Sequence, residues 1–386
     1  MTSMHRGGVA IVGAAETTEL GVLPHLSAIE LHLDAARNAL ADAGIVAADV
    51  DGIATTGQQW PYEVSDYLGI RPRWTDGTSI GGCSFIVHVR HAAAAIAAGA
   101  ADVVLITHGQ SGKSRIGTRP YVTDPASLEG QFEHPYGAMA PYSTFTLPAL
   151  AFLGARGMGE RDLAEVVAAQ RTWAGRNPRA LRRNQVSVDE VLAAPTIAYP
   201  FTRDMCCVVT DGGGALVMMS SERARDLPDP SRAVYVLGSG ESTESAVVSQ
   251  MDDLGSFGAF RRASREAFEM AGVSHDDIDH VMFYDAFAHL PLYMLEDSGF
   301  VGYGESGAFV REGHTSASGS LPMNTNGGGL SYTHTGLYGM FAIQESIRQL
   351  RGEAPAQVPG VEISFVQGVG MMFAAAGALI LTNKPQ

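Results

Sequence analysis

The chain carries one α/β unit twice. Ala35-x-Arg37-x-Ala39, Ala43-Gly44-Ile45 and Asp49-Val50-Asp51-x-Ile53 recur as Ala263-x-Arg265-x-Ala267, Ala271-Gly272-Val273 and Asp277-Ile278-Asp279-x-Val281, each at an offset of 228. The run before the first helix, Val12-Gly13-Ala14-Ala15-Glu16-Thr17-Thr18, matches Leu237-Gly238-Ser239-Gly240-Glu241-Ser242-Thr243 at an offset of 225. A third echo, Gly214-Ala215-Leu216-Val217 against Gly377-Ala378-Leu379-Ile380, falls at 163. Two copies of one unit have to be packed against each other, and the junction between them is a natural ligand cleft.

The offsets also locate an insertion. They drop from 228 to 163, so the first half holds 65 more residues between its markers than the second. The stretch 109–203, with its runs of Gly, Pro, Tyr and Phe, is the place for them. The expectation is a first half over 1–225, a second over 226–386, and a loop subdomain at about 112–203 that covers the cleft.

Strand and helix patterns alternate throughout. Buried strands are predicted at 9–12, 50–54, 102–107, 235–237, 278–283, 361–366 and 373–382. Helices are predicted at 27–43, 85–98, 163–173, 257–271 and 339–350, the first ending at Gly44. Such alternation implies a parallel or mixed sheet covered by helices.

With 46% hydrophobic residues the 386-residue chain can bury a large core. A net charge of −15 argues against nucleic acid or an anionic membrane as the main partner. The longest apolar run, 91–106, is broken by Gly99 and Asp102 and is too short to span a bilayer. The start, Met1 to Arg6, reads as no secretory leader. Cys83, Cys206 and Cys207 form no CxxC pair, the adjacent pair is a poor disulfide, and the histidines lack metal-ligand spacing. A reduced, cytoplasmic protein without a bound metal is expected.

Four glycine-rich segments are candidates for chemistry. Gly81-Gly82-Cys83-Ser84 opens the alanine-rich helix. Phe283-Tyr284-Asp285-Ala286-Phe287-Ala288-His289 ends a strand of the second repeat. The run from Asn324 through Gly327-Gly328-Gly329-Leu330-Ser331-Tyr332-Thr333-His334 to Tyr338-Gly339 opens a long helix. Gln367-Gly368-Val369-Gly370-Met371 precedes the last strand. Asp211-Gly212-Gly213-Gly214 lacks the spacing of a phosphate loop and reads as a turn before a sheet hairpin.

Together with the order of 91–105, Thr210 to Val217, Tyr284-Asp-Ala-Phe287 and Asn326 to His334, these segments resemble the thiolase superfamily. The sterol-carrier and lipid-transfer-protein branch is most similar. The resemblance covers nearly the whole chain and implies a thiolase fold: duplicated βαβαβαββ halves in a five-layer α/β/α/β/α arrangement with an inserted loop subdomain. The departures from the family pattern are specific. The slot of the family's nucleophilic Cys falls on Gly82, one residue before Cys83. The second Cys slot falls on Val366. Tyr284 stands where the family has Asn or His, and the Gly-His-Pro motif survives as Thr333-His334-Thr335.

Without a thiolate there is no acyl-enzyme, which disfavours condensation and favours retro-aldol cleavage of a β-hydroxyacyl-CoA. The resemblance to thiolase-like aldolases implies a steroid side chain as substrate, released as propionyl-CoA and a ketone. It also implies a dimeric core and a small partner built of a zinc ribbon and an OB-fold. The coenzyme A thioester is substrate, and no cofactor is expected on the chain itself. Tyr284, Tyr332, His334 and Tyr338 are the expected catalytic residues, with either Tyr332 or Tyr338 joining Tyr284. Gly82, Cys83, Gly368 and Gly370 are expected to bind substrate or form the oxyanion hole, although Gly368 and Gly370 also suit a tight turn. Asp285 and His289 read as structural. Lys113, Arg115, Arg179, Arg182 and Arg183 meet either the CoA phosphates or solvent. The alternatives are an acyltransferase using Cys83 and a non-catalytic acyl-CoA or lipid carrier.

Overall fold

The computed structural model describes residues 4, 6–119 and 122–385. Most of the extreme N-terminus, where the sequence reads as lacking a leader, lies outside that range. The first half comprises β1 (Val9–Glu16), α1 (Ala28–Ala43), β2 (Gly52–Thr55), α2 (Pro61–Leu68), β3 (Trp74–Asp76), α3 (Ser84–Ala97) and β4 (Val103–Ser111). Helices α4 (Leu128–Phe132), α5 (Tyr142–Arg156), α6 (Glu160–Ala174) and α7 (Val188–Ala193) follow, with the short strands β5 (Thr196–Ala198) and β6 (Phe201–Thr202). The chain then returns as β7 (Asp211–Ser220) and α8 (Ser221–Ala224). The second half comprises β8 (Val234–Thr243), α9 (Gly258–Ala271), β9 (His280–Phe283), α10 (Leu290–Asp297), α11 (Ser306–Arg311), α12 (Gly328–Ser331), α13 (Gly339–Arg351), β10 (Ile363–Gly370) and β11 (Ala375–Thr382).

Nine strands are hydrogen-bonded in the order β3-β2-β4-β7-β1-β8-β11-β10-β9. Reading outward from the centre, β1-β7-β4-β2 repeats as β8-β11-β10-β9, with the same parallel and antiparallel neighbours. Ala10↔Tyr235 and Ile11↔Val234 join the two halves at β1 and β8, and the amides of Arg6 and Gly7 just before β1 donate to the carbonyls of Leu237 and Val236 at 3.0 and 2.8 Å. Strands β2 and β9 start and end 228 positions apart, as the sequence echo requires. Gly13 and Gly238 share one packing reason. A Cβ on Gly13 would lie 2.3 Å from the Ala39 carbonyl, and one on Gly238 2.1 Å from that of Ala267. Each glycine lets its helix settle on its strand.

Helix α1 covers one face of β1, β4 and β7, and α9 covers β8 and β11. Helices α3 and α13 lie inside. Helix α3 touches β4 and β7 as well as β10 and β11, and α13 touches β1 and β7 as well as β9 and β10. The layers are therefore helix, sheet, helix pair, sheet, helix.

The structure corrects two expected turns. Residues 211–214 are the first four of β7, and Gly213 is a glycine because a Cβ there would meet the His108 carbonyl at 2.0 Å. Gly368 and Gly370 lie inside β10, paired with Gly377 and Ala375. Both strands lose their side chains where another backbone has to come close. Helix α5, which the sequence pattern did not mark, carries Pro148 in its interior, a residue that ordinarily disfavours a continuous helix.

Candidate active site

Tyr284 is the residue after β9, and its amide donates to the Gln367 carbonyl of β10 at 2.9 Å. Two neighbours fix its surroundings. The Asn324 side chain accepts from the Phe283 amide (2.7 Å) and donates to the Phe283 carbonyl (3.0 Å). The buried Asp285 carboxyl accepts from the amides of Gly329 (2.6 Å) and Leu330 (3.2 Å). The glycine-rich loop is thus tied to the end of β9. Glycine is required there, since Gly327 and Gly328 have φ of 105° and 66° and a Cβ on Gly328 would lie 2.0 Å from the Asp285 carboxyl.

That loop delivers His334 to Tyr284, with Nε2 2.9 Å from Oη. The His334 Nδ1 accepts the Gly336 amide at 3.2 Å, which assigns the remaining proton to Nε2. His334 therefore donates to the Tyr284 oxygen. The phenol proton is left free to point elsewhere, with the Gly336 carbonyl 3.5 Å away. Burial lowers the His334 pKa to about 4, so the ring is neutral at pH 7. Burial pushes the Tyr284 phenol up, and neighbouring groups at Cys207 and Asp285 act in the same direction.

The helix start supplies the opposite wall. A Cβ on Gly82 would lie 2.2 Å from Tyr284 Cε2 and 2.7 Å from Oη. The tyrosine ring fills the space that a side chain at position 82 would need. The turn Gly81–Cys83 leads directly into α3, and the first N–H groups of a helix lack partners within it. Cys83 is fully buried beneath β10, where a Cβ on Gly370 would come within 2.9 Å of its Sγ. Burial raises its thiol pKa far above the ordinary value, so it carries no thiolate. Gly368 and Gly370 thus have a packing reason that is independent of any oxyanion role.

The other two tyrosines part company. Tyr338 stands against Tyr284 (ring centroids 5.9 Å apart, interplanar angle 78°), and its hydroxyl donates to Asn326 Oδ1 at 2.8 Å. It is a wall of the site with a committed hydroxyl. The structure does not bring Tyr332 to the pair. Its hydroxyl donates to the carboxylate of Glu16, which also takes both terminal nitrogens of Arg348 at 2.9 Å. Burial pushes the Glu16 carboxyl up, but Arg348, Arg179 and the Tyr332 hydrogen bond outweigh it and hold its pKa below the usual value.

His289, expected to be structural, is fully buried among Phe145, Phe201, Phe287 and Phe373, and burial lowers its pKa to about 3. Arg179 and Arg182 are not simply solvated. Arg179 donates to the Thr17 carbonyl at 2.7 Å, and Arg182 reaches the carbonyls of Cys206 and Leu330 at 3.3 and 3.4 Å. No group of three or more His, Cys, Asp or Glu among the described residues is placed to hold a metal ion. No helix among them is long and apolar enough to cross a membrane.

Two features of the site were missed from sequence. A cavity of about 260 Å³ lies between the insertion and the second half, lined by Ser127, Leu128, Thr144, Val247 and Met371 among others. It adjoins the helix start, since a Cβ on Gly81 would lie 2.2 Å from the Met371 amide. Its residues come from three distant segments, so no local pattern marks it. The second missed feature is the segment 206–210, which runs between the Tyr284 and His334 loops. Its tight pairing is tertiary and leaves no periodic signature.

A family model described as Thiolase C-terminal domain-like matches residues 240–383. The chain is 31% identical over 374 residues to the 17-hydroxy-3-oxo-4-pregnene-20-carboxyl-CoA lyase of Mycobacterium tuberculosis, covering 93% of this chain and 95% of that protein. It is 28% identical over 377 residues to the steroid side-chain-cleaving aldolase of Thermomonospora curvata, covering 94% and 96%. A solved structure titled Ltp2-ChsH2(DUF35) aldolase superposes with a TM-score of 0.90 at 28% identity, over 98% of this chain and 99% of that one.

Proposed function

The chain belongs to the thiolase superfamily, in the branch of sterol-carrier-type thiolases and steroid side-chain-cleaving aldolases, and from that premise we propose that it is an acyl-CoA carbon–carbon lyase acting by retro-aldol cleavage. The substrate class is a β-hydroxyacyl-CoA of the steroid side-chain type, which yields propionyl-CoA and a ketone. One observation carries the reading. The hydroxyl of Tyr284, held by His334, occupies the space beside Gly82 where a nucleophilic side chain would otherwise project, while the neighbouring Cys83 thiol is shut away.

In this reading the Tyr284 phenolate takes the proton from the β-hydroxyl. The oxygen becomes a ketone, the Cα–Cβ bond breaks, and its electron pair passes to the thioester as an enolate. Tyr284 then returns the proton to Cα and releases the shortened acyl-CoA. One group thereby serves as base and acid in turn. The neutral His334 donates Nε2–H to Tyr284 Oη and supports the phenolate charge. The amides at Gly82 and Cys83, at the positive end of α3, face the developing enolate. Tyr338 and Asn326 keep the Tyr284 ring upright. Roles for Gly368 and Gly370 in substrate binding act through the packing of Cys83.

Burial keeps Tyr284 protonated at rest, so the reactive fraction grows about tenfold per pH unit below its pKa. The logarithm of kcat/KM should rise with unit slope through neutral and mildly alkaline pH. A flat profile there would remove the phenolate from the mechanism. The direct test is mass spectrometry of the protein with a 17-hydroxy steroid bearing a three-carbon CoA side chain. Propionyl-CoA and the 17-ketosteroid, with Cys83 unmodified, are the expected products. An acylated Cys83 with intact substrate carbon skeleton would establish an acyltransferase instead.

The reading includes a dimeric core and a partner of the zinc-ribbon/OB-fold kind. The similarity to the Ltp2-ChsH2(DUF35) aldolase structure supports the partner. The assay is therefore run with and without such a partner, and light scattering of the chain alone checks the dimer.

A further inference from the structure

We infer that Thr210 is the positioning residue of the catalytic pair, acting through His334. This rests on the retro-aldolase reading for its kinetics, but the geometry is independent of it. Residues 206–210 run from the end of the insertion into β7 and form a strap between the two loops of the site. At one end the Cys207 amide donates to the Ala286 carbonyl at 2.9 Å, and Cys206 pairs with Phe287. At the other the Val208 amide donates to the Gly329 carbonyl at 2.9 Å, and Val209 pairs with His334. The strap therefore ties the segment just after Tyr284 to the segment that carries His334.

Thr210 holds His334 from both sides. Its amide donates to the His334 carbonyl at 3.1 Å, and its hydroxyl oxygen accepts the His334 amide at 3.2 Å. The same hydroxyl lies 2.8 Å from that of Thr333. One residue thus saturates the backbone of the histidine that reaches Tyr284, its amide serving the carbonyl and its hydroxyl the N–H, and Thr210 is only 1% exposed, so water cannot replace it. Thr335 is fixed in turn by His108, whose Nε2 lies 2.7 Å from its hydroxyl. Every residue from 333 to 335 is clamped, which suits a contact whose value depends on a distance rather than on flexibility. Gly112 belongs to the same device, because a Cβ there would meet the Thr335 carbonyl at 2.2 Å and that of Thr210 at 2.8 Å.

The strap is also where the insertion meets the site. Arg182, from the insertion, reaches the Cys206 carbonyl on the strap and the Leu330 carbonyl on the His334 loop.

The test uses Thr210→Val, which keeps the shape and removes the hydroxyl, with Thr210→Ser as the conservative control. Thr210→Val should lower kcat by about 10- to 100-fold with KM within about twofold, as expected for a misplaced catalytic group. Thr210→Ser should recover most of the loss. In a His334→Ala background, Thr210→Val should cost less than about twofold, because a residue acting only through His334 has nothing left to position. An equal loss in both backgrounds, or a change confined to KM, would overturn the proposal.

A second readout needs no turnover. In 15N spectra of histidine-labelled protein, with His334 assigned by its loss in His334→Gln, the wild type should show a single Nε2–H tautomer. Thr210→Val should show tautomer averaging. An unchanged His334 signal in Thr210→Val sinks the positioning role even if the wild type proves inactive on the steroid thioester, an outcome that would count against the retro-aldolase reading alone.

Discussion

The two halves share a backbone plan and differ in what stands at equivalent positions. Tyr284 follows β9 as Thr56 follows β2, 228 residues earlier. Tyr284 meets His334, whereas the Thr56 hydroxyl is buried without a hydrogen-bond partner among the described residues. The outer helices diverge in the same way. Inward-facing Ala35, Ala39 and Ala43 of α1 return as Ala263, Ala267 and Ala271 of α9, all buried. Half-buried Asp34 of α1 returns as exposed Arg262 of α9, and buried Leu33 as exposed Arg261. A groove along α1 is lined by Glu19, Glu30, Asp34 and Arg37, and one along α9 by Arg261, Arg262, Arg265, Glu269 and Asp297, so the balance of charge differs although Arg37 and Arg265 are equivalent. Packing holds the repeat together inside. Chemistry and surface charge are free to differ wherever a side chain leaves the interface between helix and sheet.

The sharpest break of this pseudo-symmetry is the strand end. Tyr284→Phe removes the only group proposed to move protons and should lower kcat by about 10²- to 10⁴-fold, with an unchanged circular-dichroism spectrum. Thr56→Val, at the equivalent position of the first half, should leave kcat within about twofold. Steady-state kinetics on the steroid thioester decides. Comparable losses in the two variants would mean that the strand ends serve the fold and not the reaction. Gly82→Ala belongs to the same comparison. Its methyl would enter the Tyr284 ring, and at 2.2 Å that ring has to move, so loss of activity should approach that of Tyr284→Phe.

The fold was legible because its signals are local and repeated. The alanine faces, Gly44 and Gly272 as left-handed helix ends, and Asp49-Val50-Asp51 against Asp277-Ile278-Asp279 mark equivalent helices and strands without reference to the rest of the chain. Tyr284 and His334 were legible as residues at glycine-rich loops beside a helix start. Tyr332 was not separable from Tyr338 in sequence, because both lie in one loop and only the Glu16–Arg348 pair, hundreds of residues apart in number, decides which way it turns. Gly368 and Gly370 look like turn residues for the same reason. The helix start that forces them to be small is nearly three hundred positions away.

The two halves are also clasped unequally. Glu16 on β1 grips Arg348 of α13, and its counterpart Glu241 on β8 grips Arg90 and His91 of α3. The Glu16 side chain is 1% exposed and that of Glu241 38%. Neutralising the carboxylate of a buried pair leaves the charge of its cationic partner, here Arg348, less compensated, while an exposed pair is screened by water. Glu16→Gln should therefore destabilise by about 3 kcal/mol. Glu241→Gln should cost about 1 kcal/mol or less. Urea unfolding of the two variants checks this, and equal midpoints would show that burial does not separate the clasps.

The smallest effect is a pH dependence confined to the exposed clasp. His91 donates to Asp76 at 2.7 Å and to Glu241 at 3.2 Å, so it bridges the edge strand β3, helix α3 and β8. Hydrogen bonds to the two carboxylates raise its pKa from 6.5 to about 9. A group with a raised folded-state pKa stabilises fully below its unfolded value and loses that contribution as pH rises through the folded one. The window is thus pH 6.5 to 9. Since the His91 side chain is 33% exposed, solvent screening limits the loss to about 1 kcal/mol. Unfolding midpoints measured across this window should fall for the wild type relative to His91→Gln, in which the titrating group is gone. Parallel curves would mean that the bridge is decorative and that α3 is held on its sheets by packing alone. The buried clasp at Glu16 contains no histidine, so it should show no change over the same range, and the two halves would then differ in pH response as they do in chemistry.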